Sequence, residues 1–333
     1  MKFSIILPVR NGGEYVKECV GSILSQTYPH FNLLILDNCS TDGTTAWVNA
    51  LSDNRVQVYP SAEPLSIEQN WKRVADVPKN EFMTCIGHDD LLLPGYLQEM
   101  KRLIETYPGA SLYQSQFTFI DSQGKPIRPC RPIPPALSGE ELLERILTKQ
   151  IDINGTGYMM RSKDYEAIGG IPAYPNLLFA DFALWVDMAR ISGMVASAAH
   201  CFSYRLHQSM TASSADDKIQ AAFGFCIDYL LRLKQQSPAA RAIINTHGPA
   251  FIAEYCSSYA HRLLKKPAAR RHGITVNSWV QQCRQYADKL IDNNTFDPAA
   301  LPGVRMAKLV DATALGRALF LLFKKIYSKP VLR

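Results

Sequence analysis

The sequence predicts an α/β protein: a mostly parallel central sheet flanked by helices, followed by a mainly α-helical C-terminal region. Three observations carry this expectation. Short, continuously apolar, β-rich runs alternate with segments of helical apolar spacing through the first 110 residues, the pattern of parallel strands joined by right-handed crossovers. Polar clusters, Arg10-Asn11, Asp37-Asn38 and His88-Asp89-Asp90, stand at the carboxyl ends of three of those runs. Beyond about Ala215 the apolar spacing is helical throughout.

Phe3–Val9 is β-branched and unbroken, which suits a strand buried on both faces. After Asn11-Gly12-Gly13, apolar residues recur at Val16, Cys19, Val20, Ile23 and Leu24, a helical stripe, and Pro29 follows its end. Leu33–Leu36 reads as a second buried strand closed by Asp37. Residues 38–44 form a polar turn, and Thr44–Leu51 a short helix. Val56–Tyr59 is a third strand, Ile67–Val77 a helix, and Phe82–Ile86 a fourth strand that runs into His88-Asp89-Asp90. Pro94 suits the first turn of the next helix, which reaches about Tyr107. Pro126–Pro135 reads as an extended loop, Gly139–Lys149 as a helix, and Gly169-Gly170 with Pro172 as the loop before a helix over Phe179–Ile191. The spacing divides the chain at 215, with 1–110 and 111–215 as two halves of the α/β part and 216–333 as the helical part.

Charge follows the same division. Residues 1–215 hold 18 basic and 22 acidic side chains, a balance of −4, whereas 216–333 hold 18 and 8, a balance of +10. A slightly acidic body with a basic end argues against a nucleic-acid binder coated in charge. With 47% hydrophobic and 20% charged residues the chain can bury a core and is not disordered. Its eight cysteines form no C-x-x-C pair. That pattern predicts reduced, buried thiols and a cytoplasmic setting, not a disulfide framework or zinc site. The apolar start is short, contains Pro8 and meets Arg10, so a signal peptide is not expected, and no run approaches a membrane-spanning length.

Ligands of open parallel sheets sit at the carboxyl ends of the strands, so the three polar clusters converge on one site. Two adjacent carboxylates, Asp89 and Asp90, could supply oxygen ligands to a hard divalent cation and leave room for substrate phosphates; an ordinary acidic loop before Pro94 is the alternative. Asp37 is an ionisable group ending an apolar strand and could accept hydrogen bonds from a base or ribose. Thr41, Asp42 and Gly43 are explained by turn and capping chemistry alone. Asp181 precedes the helical stretch Phe182, Leu184, Trp185 and Met188, where a capping carboxylate is common.

Taken together, Ile-Leu-Pro-Val-Arg-Asn, Leu-Asp-Asn-Cys-Ser-Thr-Asp-Gly-Thr and Gly-His-Asp-Asp-Leu-Leu-Leu-Pro-Gly-Tyr-Leu resemble the family 2 glycosyltransferases, enzymes of the GT-A fold. Residues 168–172, 180–185 and 204–207 resemble that family's acceptor half, so the resemblance spans about residues 1–212. It implies a metal-dependent, inverting transfer of sugar from a nucleotide diphosphate donor, a UDP-sugar first, to a glycan or lipid-linked acceptor of the cell surface. Pro8, Arg10, Asn11, Asp37 and Asn38 would then grip the nucleotide. Many members carry an aromatic residue at the place of Arg10 and a second Asp at that of Asn38. The Arg10 guanidinium plane can still stack on a base. Asp90 would ligate Mg²⁺ or Mn²⁺, and Asp89 would contact the ribose or donor sugar. Asp181 would act as general base on the acceptor hydroxyl. His207 would face the metal or diphosphate, and Arg205 would offset leaving-group charge. Asn70 is expected at the donor, and Arg161 and Trp185 at the acceptor.

Two other classes share parts of this pattern. A nucleotidyltransferase usually needs a longer Gly-rich, basic loop than Arg10-Asn11-Gly12-Gly13-Glu14. A non-catalytic partner in a glycan-assembly complex would use the basic end. There, Leu315, Leu319, Leu322, Phe323 and Ile326 fall on one helical face and Arg317, Lys324 and Lys325 elsewhere, a pattern that suits an anionic membrane surface or packing on protein.

Overall fold

The computed structural model describes residues 1–206 and 214–327. The chain forms two compact units, residues 1–212 and 213–333.

In chain order the first unit runs β1 (Phe3–Val9), α1 (Gly13–Leu24), β2 (Phe31–Asp37), α2 (Thr44–Asn49), β3 (Val56–Val58), α3 (Ile67–Lys72), β4 (Phe82–Cys85), β5 (Leu91–Leu92), α4 (Tyr96–Thr106), β6 (Leu112–Ile120), β7 (Pro126–Pro129), β8 (Ala136–Leu137), α5 (Gly139–Leu147), β9 (Met159–Arg161), α6 (Ser162–Ala167), α7 (Ala180–Ser192) and β10 (Met194–Arg205). The strands form one sheet in the order β3-β2-β1-β4-β9-β6-β10-β5, with β7 on β6 and β8 on β10. The pairs β1–β2, β1–β4, β2–β3 and β6–β10 are parallel, and β9 is antiparallel to both β4 and β6. β1, β2, β3, β4, β6 and β10 therefore all point their carboxyl ends to the same edge. The sheet is mixed, with β9 wedged antiparallel into an otherwise parallel centre.

The expected strands β1, β2 and β4 are present because seamless apolar runs have no solvent face to offer; β1 is buried at every residue. α4 packs on the sheet through Tyr96, Leu97, Met100, Leu103 and Ile104, a helical stripe. It begins at Tyr96, so Pro94 precedes the helix and does not sit in its first turn. Proline segment 126–135 is not wholly a loop: Pro126–Pro129 pairs with β6 as an edge strand, where a missing N–H can face solvent.

The second unit consists of α8 (Asp216–Gln236), α9 (Pro238–Leu264), α10 (Val276–Leu290), α11 (Pro302–Asp311) and α12 (Ala314–Tyr327). Phe223 anchors its core, with ring centroids of Phe251, Tyr255, Trp279 and Tyr286 within 5.1–5.9 Å. Buried charges are paired: Arg271 Nη1 donates to Asp311 Oδ1 at 2.5 Å, and Arg262 and Lys266 both reach the buried Asp216.

Candidate active site

The strand order reverses direction at β1: the chain steps through β2 to β3 on one side and returns to place β4 on the other. Such a switch point opens a crevice. β1 and β4 stay paired only as far as Ile6 opposite Cys85, so Pro8 lies where β1 has lost its β4 neighbour. On the other side Asn38 N–H still donates to Val9 O at 2.9 Å.

Two loops frame the crevice and brace each other. Asn11, held at a φ of 53°, accepts from Thr41 N–H at 2.8 Å through Oδ1, and its own N–H donates to Ser40 Oγ. Gly12 N–H donates to Thr44 Oγ1 and Gly13 N–H to Asp42 Oδ2. Asp37 is 1% exposed. Its Oδ2 accepts from Thr45 Oγ1 at 2.8 Å, while Oδ1 is buried with no hydrogen-bond partner among the described residues. A buried carboxylate oxygen without a donor is costly, and a ligand N–H would complete it.

Asn38 differs from the sequence expectation. Its Nδ2 donates to Leu65 O and its Oδ1 accepts from Leu65 N–H and Ser61 Oγ, so the whole amide pins the loop at 61–65. The exposed Arg10 reaches the same loop through Nη1 to Leu65 O at 3.3 Å. Asn70 is also turned inward, accepting from Arg73 Nη1 at 3.0 Å; Arg73 in turn donates to Asp37 O and Tyr59 O. Asn38 and Asn70 shape the cradle from behind.

The acidic turn follows β4. Asp90 is 1% exposed; its Oδ1 accepts from Arg205 N–H at 2.9 Å and its Oδ2 from Thr156 Oγ1 at 2.5 Å. A Cβ on Gly87 would lie 2.7 Å from Asp89 Oδ1 and 3.2 Å from Asp90 Oδ2. The bare glycine thus leaves a cradle flanked by one oxygen from each carboxylate. Burial pushes the nearby Cys19 thiol well up, and the charges of Asp90 and Asp89 push the same way. Hard oxygens at a negative potential fit Mg²⁺ or Mn²⁺, ions that take few protein carboxylates and complete their shell with water and phosphate oxygens. Among the described residues no group of three His, Cys, Asp or Glu that could hold a metal assembles, so of the described residues Asp89 and Asp90 are the ones that could offer it oxygens. His207 lies outside the described residues.

Arg205 is not aimed at the crevice. Its side chain is fully buried: Nε donates to Asp89 O at 2.7 Å, Nη2 pairs with Glu18 Oε2 at 2.6 Å, and Nη1 donates to Asp121 O and Ser122 O. Its guanidinium carbon lies 4.6 Å over the Tyr15 ring. The expected contact with leaving-group charge is replaced by a clamp on the acidic turn.

Asp181 opens α7. The approach to it is strained: Asn176, Leu177 and Phe179 all adopt left-handed backbone, with φ of 53°, 56° and 63°. Asp181 Oδ1 accepts from Phe182 N–H at 2.9 Å. Burial pushes its carboxyl above the usual range, against the pull of that N–H. Burial raises the Tyr204 phenol, and the charges of Asp90, Asp181 and Asp89 push it the same way. Gly155 joins them physically, since a Cβ there would stand 4.0 Å from Asp181 Cβ, one residue before the Thr156 hydroxyl that holds Asp90.

Two expected acceptor contacts are elsewhere. Trp185 is 1% exposed, stacks on Tyr158 at 4.2 Å between centroids and donates Nε1–H to Asn154 O; it is core. Arg161 lies opposite Phe82, the first residue of β4, and so at the sheet edge away from the crevice. There it donates to Glu81 Oε1 and Pro108 O.

Residues missed by sequence reasoning are Thr156 and Asn154. Asn154 is 3% exposed, and both polar atoms of its amide are buried without a hydrogen-bond partner among the described residues. Its segment, Asn-Gly-Thr-Gly, carries a turn composition and no chemical signature.

A sheet with this switch point, a crevice beside β1 and an acidic turn after β4 is a GT-A-type architecture. The chain belongs to glycosyl transferase family 2, whose family model matches residues 4–169. Among its relatives, glycosyltransferase GlyG of Streptococcus pneumoniae is 26% identical over 123 residues, 36% of this chain and 41% of GlyG. An uncharacterised glycosyltransferase of Rickettsia typhi is 22% identical over 70% of this chain and 73% of its own length. TuaG of Bacillus subtilis, described as a putative teichuronic acid biosynthesis glycosyltransferase, is 24% identical over 46% of this chain and 63% of TuaG. The match thus spans less than half of GlyG and most of the Rickettsia protein. Staphylococcus aureus TarS residues 1–349, solved with UDP-GlcNAc, superposes with a TM-score of 0.62 at 15% identity over 93% of this chain and 91% of that one. The Pyrobaculum calidifontis mannosyltransferase PcManGT, solved with GDP-Man and Mn²⁺, gives 0.52 at 13% identity over 98% and 87%. These likenesses show the fold.

Proposed function

We propose that the chain transfers a sugar from a nucleoside diphosphate donor, a UDP-sugar first, to a hydroxyl of a glycan or lipid-linked acceptor in surface polysaccharide synthesis, inverting the anomeric centre. The observation that carries this reading is that Asp181 lies beside the segment that holds the acidic turn: Thr156 donates to Asp90 Oδ2, and a Cβ on the preceding Gly155 would stand 4.0 Å from Asp181 Cβ. TarS and TuaG support the donor and the polymer class by their own described ligand and pathway.

Asp37 Oδ1 accepts an N–H of the base, which completes its buried valence. Arg10, exposed at the rim, stacks on the base, and Pro8 and Asn11 shape the floor and lip of the nucleotide site. Asp90, with Asp89 beside it, would hold Mg²⁺ or Mn²⁺, which when bound would offset the charge of the departing diphosphate. Asp181 takes the proton of the acceptor hydroxyl while that oxygen bonds to the anomeric carbon and the bond from that carbon to the diphosphate breaks. A carboxyl raised by burial is a better base than an exposed aspartate. Catalysis is assigned to residues 1–215, with 1–110 for the nucleotide and 111–215 for the acceptor. The eight free thiols support a cytoplasmic setting.

A panel of UDP-, dTDP- and GDP-sugars with manganese tests the reading. Hydrolysis or thermal stabilisation by one base class is expected. A chain that neither binds nor hydrolyses any nucleotide sugar would overturn it.

A further inference from the structure

We propose that α11 and α12 form a surface that adsorbs in the plane of an anionic lipid bilayer. On α12, Leu315, Leu319, Leu322, Phe323 and Ile326 are 53–69% exposed. They recur every three or four residues and line one face over about 16 Å of helix. α11 adds Met306 and Leu309, 64% and 76% exposed. Soluble surfaces rarely expose so many large apolar side chains together.

The rest of α12 is held down. Phe320 packs edge-on to His261 at 5.6 Å between centroids, and Arg317 donates to Asp311 O. A tight turn links the two helices: a Cβ on Gly316 would lie 2.6 Å from Val310 O. The outward face is therefore presented by a helix fixed on its other side, not by a loose tail.

Charge selects the occupant. Residues 302–327 hold Arg305, Lys308, Arg317, Lys324 and Lys325 against Asp311 alone. Asp311 is buried and answers Arg271 and Arg317. Arg305 and Lys325 have no carboxylate partner among the described residues, whereas other cations of this unit are neutralised within it, Arg284 by Asp297 and Lys234 and Arg241 by Asp292. A second copy docked on the same face would set like charges against each other. Anionic headgroups would offset them while the leucines and Phe323 enter the acyl boundary. No helix among the described residues is long and apolar enough to cross a membrane, so the contact is adsorption.

The test is co-sedimentation of the full chain with phosphatidylcholine vesicles, with and without phosphatidylglycerol. Binding is expected only to the anionic vesicles and should weaken with salt. Leu319→Gln with Phe323→Gln should lower the bound fraction roughly tenfold or more with the melting temperature little changed, because both side chains are more than half exposed. Arg305→Gln with Lys325→Gln should reduce the preference for anionic lipid. Equal binding to both vesicles, undiminished binding by the Leu319/Phe323 variant, or a wild-type dimer that this variant dissociates while neither binds lipid would overturn the proposal. Donor hydrolysis in the same samples should be untouched; its absence from both proteins would count against the transferase reading and not against this one.

Discussion

Thr156 donates its hydroxyl to Asp90 Oδ2 at 2.5 Å, across 66 residues of sequence. That bond fixes the carboxylate from the side opposite the Arg205 N–H, so two rigid donors set the direction of both Asp90 oxygens. Groups that orient a ligating carboxylate typically change metal affinity by about 10–100-fold when lost. Thr156→Val should raise the manganese requirement of donor hydrolysis by that factor with KM for the nucleotide sugar little changed at saturating metal. Asp90→Asn should reduce turnover at least about 100-fold without unfolding the chain. A manganese titration of both variants checks the pair.

Asp181→Asn should separate activity from stability. Loss of a general base costs about 10²–10⁴-fold in turnover, while donor binding by thermal shift should persist. The folded-state carboxyl is raised by burial, so the native state holds its proton more tightly than the unfolded chain. Stability is therefore lost as pH climbs from the ordinary aspartate range through the raised folded value. The asparagine variant escapes that loss and should melt higher than wild type at neutral pH. The acidic limb of the turnover profile should lie above the ordinary aspartate range in wild type and vanish in the variant.

Asn154→Leu tests the orphaned amide. Replacing an unpartnered buried polar group by an apolar one of similar size should stabilise the chain by about 1–3 kcal/mol in urea denaturation. If the amide serves sugar hydroxyls between Asp90 and Asp181, the same variant should transfer or hydrolyse more slowly. A stabilised variant with full activity would assign the site to internal water.

Asp311→Asn in the helical unit should be severely destabilising. It leaves Arg271, 1% exposed and already with an unpartnered Nη2, as an uncompensated buried charge. Removing one partner of such a pair costs about 3–5 kcal/mol. Asp311 Oδ2 also accepts Val276 N–H at the start of α10, so loss of helical signal should accompany the change.

These expectations show where the sequence was legible. β1, β2 and β4 are predominantly apolar runs, and Asp37, Asp89 and Asp90 stood out as ionisable groups at or just beyond their carboxyl ends. β6 and β10 escaped notice because their apolar runs are broken by Gln114, Ser115, Gln116, Ser197 and Ser203, all buried. Gln116 is accommodated because its amide bridges Ile133 N–H and O and Ser197 O, a partnership made only by the fold. The same cause misplaced Arg161, Trp185 and Arg205. Residue type and neighbouring motif pointed each toward the substrate, but strand direction and burial decided where each side chain went. Thr156 and Asn154 were invisible because their importance lies in what they face.

The Arg205–Asp90 bond has a consequence for synthesis. The acidic turn leaves the ribosome about 115 residues before the strand that clamps it. Until β10 arrives, Asp89 and Asp90 sit on an unfinished sheet, with Glu18 waiting for its guanidinium. Pairing over such a separation is slow relative to local helix formation. A nascent chain would therefore pass through a stage with its nucleotide half folded and its acidic turn still loose. Competence for chemistry should arrive abruptly, with the last strand, and not in proportion to the length translated.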